Sequence, residues 1–293
     1  MSGSQRPEWP NNANRVSPIN RLRRLRPRDR PRFKGQSFNR IIPNLMTLIG
    51  LCAGLTSMRF ALEGRFGSAA VAVVVAGAID GLDGRLARLL KATSRFGAEF
   101  DSLADFLCFG VAPAFILYIW SLQRAGGFGY TPCLIFAVCM ALRLARFNAA
   151  MDGAPAPAYA YNFFTGVPAP AGAGLVLFPL FLGLEAKSLG MDWLLAAAQY
   201  PLFCAFVLVG TALLLVSTLP VWSFKNFKVP SEYVLPMLLG TGTFAAVLVA
   251  DPWAALAGGG LIYLGMLPFS VRSFRRLRRE AQARREAAEA DVV

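Results

Sequence analysis

The sequence predicts an all-α, polytopic membrane protein with about eight transmembrane helices. Three observations predict it. First, 55% of the residues are hydrophobic and only 16% are charged, a balance that belongs to a chain embedded in lipid rather than to a soluble domain. Second, the apolar residues gather in eight runs close to the ~20 residues that a helix needs to cross a hydrocarbon core. Third, the basic residues avoid alternate connections between those runs, as the positive-inside rule demands.

The runs cover roughly 42–62, 67–89, 98–121, 128–149, 164–184, 197–219, 232–250 and 253–271. With the N-terminus in the cytoplasm, eight spans return the C-terminus to the same side. All of the 30 Lys and Arg then lie on that side except Arg59, Arg65, Arg124 and Lys187. Three regions follow. Residues 1–40 form a basic, Pro- and Arg-rich cytoplasmic tail, expected to be disordered. Residues 41–272 form a transmembrane catalytic domain. Residues 273–293 form a basic cytoplasmic helix or tail, expected along the membrane surface, where each Lys or Arg near anionic lipid contributes about 1 kcal/mol. The forty mostly polar residues before the first run do not have the layout of a signal peptide. Residues 152–170, rich in Pro and Gly, read as an irregular cytoplasmic loop.

Composition removes several chemistries. There is no histidine, which excludes Ser/His/Asp and Cys/His catalysis and the HExxH zinc site, and leaves acid–base and metal work to carboxylates. The five cysteines, Cys52, Cys108, Cys133, Cys139 and Cys204, form no CxxC pair and lie in apolar runs, so they read as small buried hydrophobes. The net charge of +13 is concentrated in the tails and calls for no nucleic acid.

Against that background the stretch 78–106, AIDGLDGRLARLLKATSRFGAEFDSLADF, stands out. Asp80 and Asp83 lie at the inner end of the second run, and Asp101 and Asp105 at the start of the third. A carboxylate at the centre of a span costs roughly 2.5–3.5 kcal/mol on insertion scales and marks a functional site by default. Helical spacing gives Asp80 and Asp83 one side, and puts Asp101 and Asp105 at i and i+4 on one face. The two helices are antiparallel across a short basic connection, so both pairs meet at one depth. Hard oxygen ligands suit Mg²⁺ or Mn²⁺, and two such ions can clamp a diphosphate. Gly84 lets a nucleotide approach the backbone. Arg88 offers a bidentate fork to phosphate.

Written out, the pattern is Asp80-x-x-Asp83-Gly84-x-x-Ala87-Arg88, then Gly97-x-x-x-Asp101-x-x-x-Asp105. It resembles, at every position and with the same gap between Arg88 and Gly97, the signature of the CDP-alcohol phosphotransferase family. The resemblance implies a six-helix membrane core, here with two added C-terminal spans, and a homodimer. It implies two divalent cations held by Asp80, Asp83, Asp101 and Asp105, with Asp105 also deprotonating the acceptor alcohol. Gly84, Ala87 and Gly97 would line the cytidine pocket and Arg88 would face phosphate. Asn44 and Thr47, from a Pro-Asn-x-x-Thr opening of the first span, would join them around the CDP-lipid.

Further segments are similar to the integral-membrane, serine-using bacterial branch of that family. They are IIPNLMTLIGLCAGL at 41–55, the DFLCFGVAPA run from Asp105, ALRLARFN at 141–148, and the Phe164, Gly166, Pro168, Pro170 pattern. The branch implies CDP-diacylglycerol and L-serine as substrates, CMP as product, and an active site at the cytoplasmic face of the bacterial inner membrane. Arg143 and Arg146, three apart on one face, with Asn148 after them, are candidates to hold a lipid phosphate and the serine carboxylate. Plain positive-inside topology also explains those arginines. The same chemistry with glycerol 3-phosphate, inositol phosphate or choline as acceptor remains open. So do a membrane prenyltransferase and a cation transporter, although the latter calls for carboxylates spread along several spans.

Overall fold

The structure, a computed structural model, describes residues 38–90, 92–151, 163–222 and 231–290. The expected N-terminal tail up to residue 37 and most of the expected 152–170 loop lie outside the described residues.

Helix α1 (Phe38–Leu62) and helix α2 (Phe66–Leu89) form the first pair, turning through Gly64 at φ 72°. Helix α3 (Arg95–Asp105) is N-capped by Ser94, whose hydroxyl accepts from the Gly97 amide at 3.0 Å, satisfying one orphan donor of the first turn. Directly after Asp105 the backbone widens into a π turn, Phe106–Val111, before α4 (Ala112–Trp120). Pro113 accounts for this: it has no N–H to donate and its ring crowds the carbonyl four residues back, so the preceding turn opens. Helix α5 (Gly127–Met151) completes the first half.

The second half is more broken. Strand β1 (Phe163–Thr165) pairs antiparallel with β2 (Pro220–Trp222), Phe164 opposite Val221. Helices α6 (Ala169–Val176) and α7 (Phe178–Ser188) meet at 44°, and α8 (Asp192–Ala198) and α9 (Pro201–Val216) at 49°. Pro179 and Pro201 stand in the first turns of α7 and α9, where proline starts a helix but cannot continue one. The last two helices are α10 (Ser231–Ala250) and α11 (Pro252–Ala290).

Each of the eight expected runs is largely helical, although the fifth opens in β1 before α6 begins at Ala169, and the chain is an all-α polytopic membrane protein. Among the described residues, five helices are long and apolar enough to cross a membrane, and each bent pair can supply one more span. The expected seventh span is apolar only over Val234–Ala250, short of a full crossing. The last span does not stop near residue 271. It runs on without a break to Ala290 as one 39-residue helix, so the basic segment expected along the membrane surface continues the span instead.

The core sits where α5 packs on α9 and where α2, the π turn and α6 converge. Phe109, Phe136, Ile116, Leu117, Met140 and Leu215 are fully enclosed there. Lipid tails are as apolar as leucine, so association must come from close packing. Small residues supply it: Ala69, Ala70 and Ala76 of α2 are buried, while Val71, Val74 and Val75 of the same helix face outward. One close approach is that of α1 on the π turn. A Cβ on Gly54 would come within 2.5 Å of the Cys108 sulfur and 3.3 Å of its Cα.

That contact gives a direct test. Gly54→Ala should destabilise the protein by about 1–3 kcal/mol, the usual cost of overpacking, and lower its melting temperature in detergent. Gly81→Ala, which meets nothing within 4 Å, should leave it unchanged or raise it. Equal melting of wild type and Gly54→Ala would contradict the packing described.

Candidate metal centre and nucleotide pocket

Helices α2 and α3 bring three of the four aspartates together. Carboxylate oxygens of Asp80, Asp101 and Asp105 all lie within 4.8 Å of one another. A small cavity beneath them is lined by Thr47, Gly50, Ala104, Cys108 and Phe109 among others. Ala104 is buried between the aspartates of α3 and lets the helices close up. None of the four aspartates is bridged by a Lys or Arg among the described residues; the ion pairs Arg59–Glu63 and Arg65–Glu63 lie at the other end of the helices. A set of hard, uncompensated oxygen donors at this spacing fits a divalent cation.

Asp83 stands apart from the triad. It is 4% exposed, and its Oδ2 accepts from the Thr47 hydroxyl at 2.7 Å. That hydroxyl also lies 3.2 Å from the Pro43 carbonyl. Asp83 lines the small cavity and a second, larger one, so it sits on the wall between them.

The larger cavity, about 330 Å³, is lined by all six residues expected around the CDP-lipid: Asn44, Thr47, Gly84, Ala87, Arg88 and Gly97. Gly84 faces open space, and a Cβ on Gly97 would meet the Asn44 side-chain oxygen at 3.0 Å. Arg88 is exposed at its edge. The cavity shares Thr47, Asp83 and Asp101 with the carboxylate site. The two sites therefore adjoin.

Sequence reading missed Ala92, Thr93 and Ser94, which also line this pocket. They fall between Arg88 and Gly97, at positions the signature leaves unspecified. The one usable signal was a serine three residues before the helical Gly97, an N-cap pattern.

The residues expected at the acceptor site separate in the structure. Arg143 is half-buried and close enough to Asp105 for electrostatic interaction. Its Nε donates to the Val167 carbonyl at 2.6 Å, which fixes the stem and leaves the terminal nitrogens without a hydrogen bond to the described residues. Arg146 instead spends its guanidinium on backbone, donating to the carbonyls of Val216 at 2.9 Å, Ser217 at 3.3 Å and Thr165 at 3.4 Å. It closes the C-terminal end of α9, where carbonyls lack helical partners. Asn148 exchanges hydrogen bonds with Ser102 of α3, Nδ2 donating at 3.0 Å. Gly166, at φ 79°, passes so close to α9 that a Cβ would lie 2.8 Å from the carbonyls of Leu215 and Ser217. The Phe-x-Gly-x-Pro-x-Pro pattern thus builds the turn that Arg146 braces.

Comparison with known proteins agrees with this geometry. The family model described as CDP-alcohol phosphatidyltransferase matches residues 40–209, and that described as CDP-alcohol phosphatidyltransferase 2 matches residues 232–268. A Mycobacterium leprae protein named CDP-diacylglycerol–serine O-phosphatidyltransferase is 42% identical over 255 residues, covering 87% of this chain and 82% of its own. A Mycobacterium tuberculosis protein of the same name is 41% identical over 235 residues, 80% of this chain and 79% of its own. One from Helicobacter pylori is 33% identical over 226 residues, 77% and 87%. The aspartate signature, the pocket beside it and these matches agree: the chain belongs to the CDP-alcohol phosphatidyltransferase family.

Proposed function

We propose that this protein transfers the phosphatidyl group of CDP-diacylglycerol to L-serine and releases CMP. The observation that carries the reading is the pocket of about 330 Å³ that holds every residue of the nucleotide signature and opens onto the Asp80, Asp101 and Asp105 triad. The names of the mycobacterial and Helicobacter relatives support serine as acceptor.

Residues take the following parts. Asp80, Asp101 and Asp105 hold divalent cation, Mg²⁺ or Mn²⁺, and Asp83 completes the set from the wall of the nucleotide pocket. Bound there, two such ions supply charge stabilisation for attacking and leaving oxygens. Asn44, Thr47, Gly84, Ala87 and Gly97 enclose the cytidine, and Arg88 meets phosphate. Asp105 accepts the proton of the serine hydroxyl. The serine oxygen bonds to the phosphorus that carries the diacylglycerol oxygen, and the bond from that phosphorus to the CMP oxygen breaks. Arg143 holds the serine carboxylate, the group that separates serine from ethanolamine or glycerol. Arg146 and Asn148 hold the frame on which Arg143 stands.

The reading places the active site at the cytoplasmic face of a bacterial inner membrane, where the charge bias of the loops puts it. It keeps residues 41–272 as the catalytic domain and takes a homodimer from the resemblance.

The experiment is CMP release from CDP-diacylglycerol with serine, glycerol 3-phosphate, inositol phosphate and choline supplied one at a time. Serine alone should support turnover; turnover with another alcohol and not with serine would overturn the acceptor. Asp101→Asn and Asp105→Asn should each lower turnover by at least ~10²–10⁴-fold, the usual weight of a positioned base, while the protein still inserts and melts normally. Near-normal turnover in either would remove the aspartates from the chemistry.

The two arginines should separate by kinetics. Arg143→Gln should raise the KM for serine at least tenfold, with CDP-diacylglycerol KM little changed. Arg146→Gln should lower the melting temperature, since hydrogen bonds to charged groups contribute about 1.5–3 kcal/mol, with a smaller effect on serine KM. The reverse pattern would exchange their parts.

A further inference from the structure

A second cavity lies at the other end of the bundle. It measures about 590 Å³ and is bounded by the ends of α2, α4, α7 and α8. Trp120, which ends α4, is about 20 Å along the helix from Asp105 at 1.5 Å per residue, so this cavity faces the opposite leaflet from the aspartates. None of its lining residues belongs to the signature or to the site described above.

Its two halves differ in chemistry. Trp120, Phe66 and Leu195 make an apolar floor, and Arg124, Lys187 and Gln199 stand on the polar side. Gly183 makes that floor possible, because a Cβ there would come within 2.5 Å of the Trp120 ring. Among the described residues the Arg124 side chain reaches only the Gln199 side-chain oxygen, at 3.4 Å.

The charges are uncompensated. Of the four basic residues on this side of the membrane, Arg59 and Arg65 both pair with Glu63. Arg124 and Lys187 meet no carboxylate among the described residues, and Asp192, at the start of α8, is not among the lining residues. Positive charge is otherwise kept off this face, yet its two unneutralised cations converge on one cavity.

Depth identifies the occupant. Phe128, Tyr130, Trp193 and Tyr200, all at least half exposed, flank this end of the bundle. Exposed aromatic side chains of this kind sit at the headgroup level of a bilayer. The cations are therefore at phosphate depth and the apolar floor lies at the top of the acyl region. A free inorganic anion has no use for that floor, and no carboxylate lines the cavity to meet the ammonium of a zwitterionic headgroup.

We propose that this cavity binds an anionic phospholipid of the leaflet opposite the active site. Arg124 and Lys187 hold its phosphate, and Trp120, Phe66 and Leu195 pack against its glycerol and upper acyl chain. The bound lipid wedges α4, α7 and α8 together and acts on stability, not on chemistry.

The test uses full-length protein in a neutral detergent. Melting temperature is followed while phosphatidylglycerol, phosphatidylcholine or inorganic phosphate is added, for wild type, Arg124→Gln/Lys187→Gln and, as a control on the same face, Arg59→Gln. Phosphatidylglycerol should raise the melting temperature of wild type and of Arg59→Gln, with phosphatidylcholine weaker and phosphate inactive. The double variant should need at least about tenfold more phosphatidylglycerol, from about 1 kcal/mol per cation. Each single variant should fall between, which keeps the test open if the double variant fails to fold. CMP release from CDP-diacylglycerol in detergent, with no phosphatidylglycerol added, should be unchanged by these substitutions. Equal response of wild type and double variant would overturn the proposal, and an equal rise with phosphate alone would make this a free-anion site.

Discussion

Three carboxylates within 4.8 Å of one another, at the end of two membrane-embedded helices and with no basic side chain bridging them among the described residues, set the conditions for the rest of the structure. At the effective dielectric typical of sites near a protein surface, each ionised pair at that distance repels by about 3–4 kcal/mol. Helices α2 and α3 would part if nothing opposed this. Cations between the carboxylates reverse the sign of the interaction, and the packing around them keeps the frame fixed enough for a site.

Much of the surrounding architecture serves that frame. The Ser94 cap starts α3 at the phase that points Asp101 and Asp105 toward α2. The π turn after Asp105 lets Cys108 and Phe109 pack beneath the cluster, and Gly54 lets α1 lie against that turn. Farther out, Arg146 ties the ends of β1 and α9 to α5, and Ser270 ties β2 to α11 through the Pro220 carbonyl at 2.7 Å. Arg143 thus projects from a braced helix rather than from a loose loop. Site precision here rests on second-layer contacts, as it does in metal sites generally.

How far all this was legible in the sequence depended on the range of the interaction. Spacing along one helix is local, so the faces of Asp80 and Asp101/Asp105 could be read directly, while the grouping of Gly84, Ala87, Arg88 and Gly97 came from the family resemblance. Apolar runs gave the helices and the membrane. Contacts between distant segments could not be read. The hydrogen bond from Thr47 that draws Asp83 away from the triad joins residues on different helices. Arg143 and Arg146 look equivalent at a spacing of three, and only the position of α9 makes one a brace. The bends before Pro179 and Pro201 and the π turn before Pro113 had a visible cause, proline, but its effect depends on how neighbouring helices satisfy the freed backbone groups. Residues 92–94 escaped notice because a pocket wall made by a connection has no periodicity.

Holding of divalent cation by carboxylates from two helices is tested most directly by binding rather than turnover. Mn²⁺ added to the purified protein can be followed by the loss of the free-ion electron paramagnetic resonance signal, for wild type and for Asp101→Asn. The carboxylate cluster predicts saturable uptake by wild type, competed by Mg²⁺, and at least about tenfold weaker uptake by the variant, the cost typical of losing part of a metal's support. Identical Mn²⁺ isotherms for the two proteins, both folded, would show that the aspartate cluster is not where the metal binds.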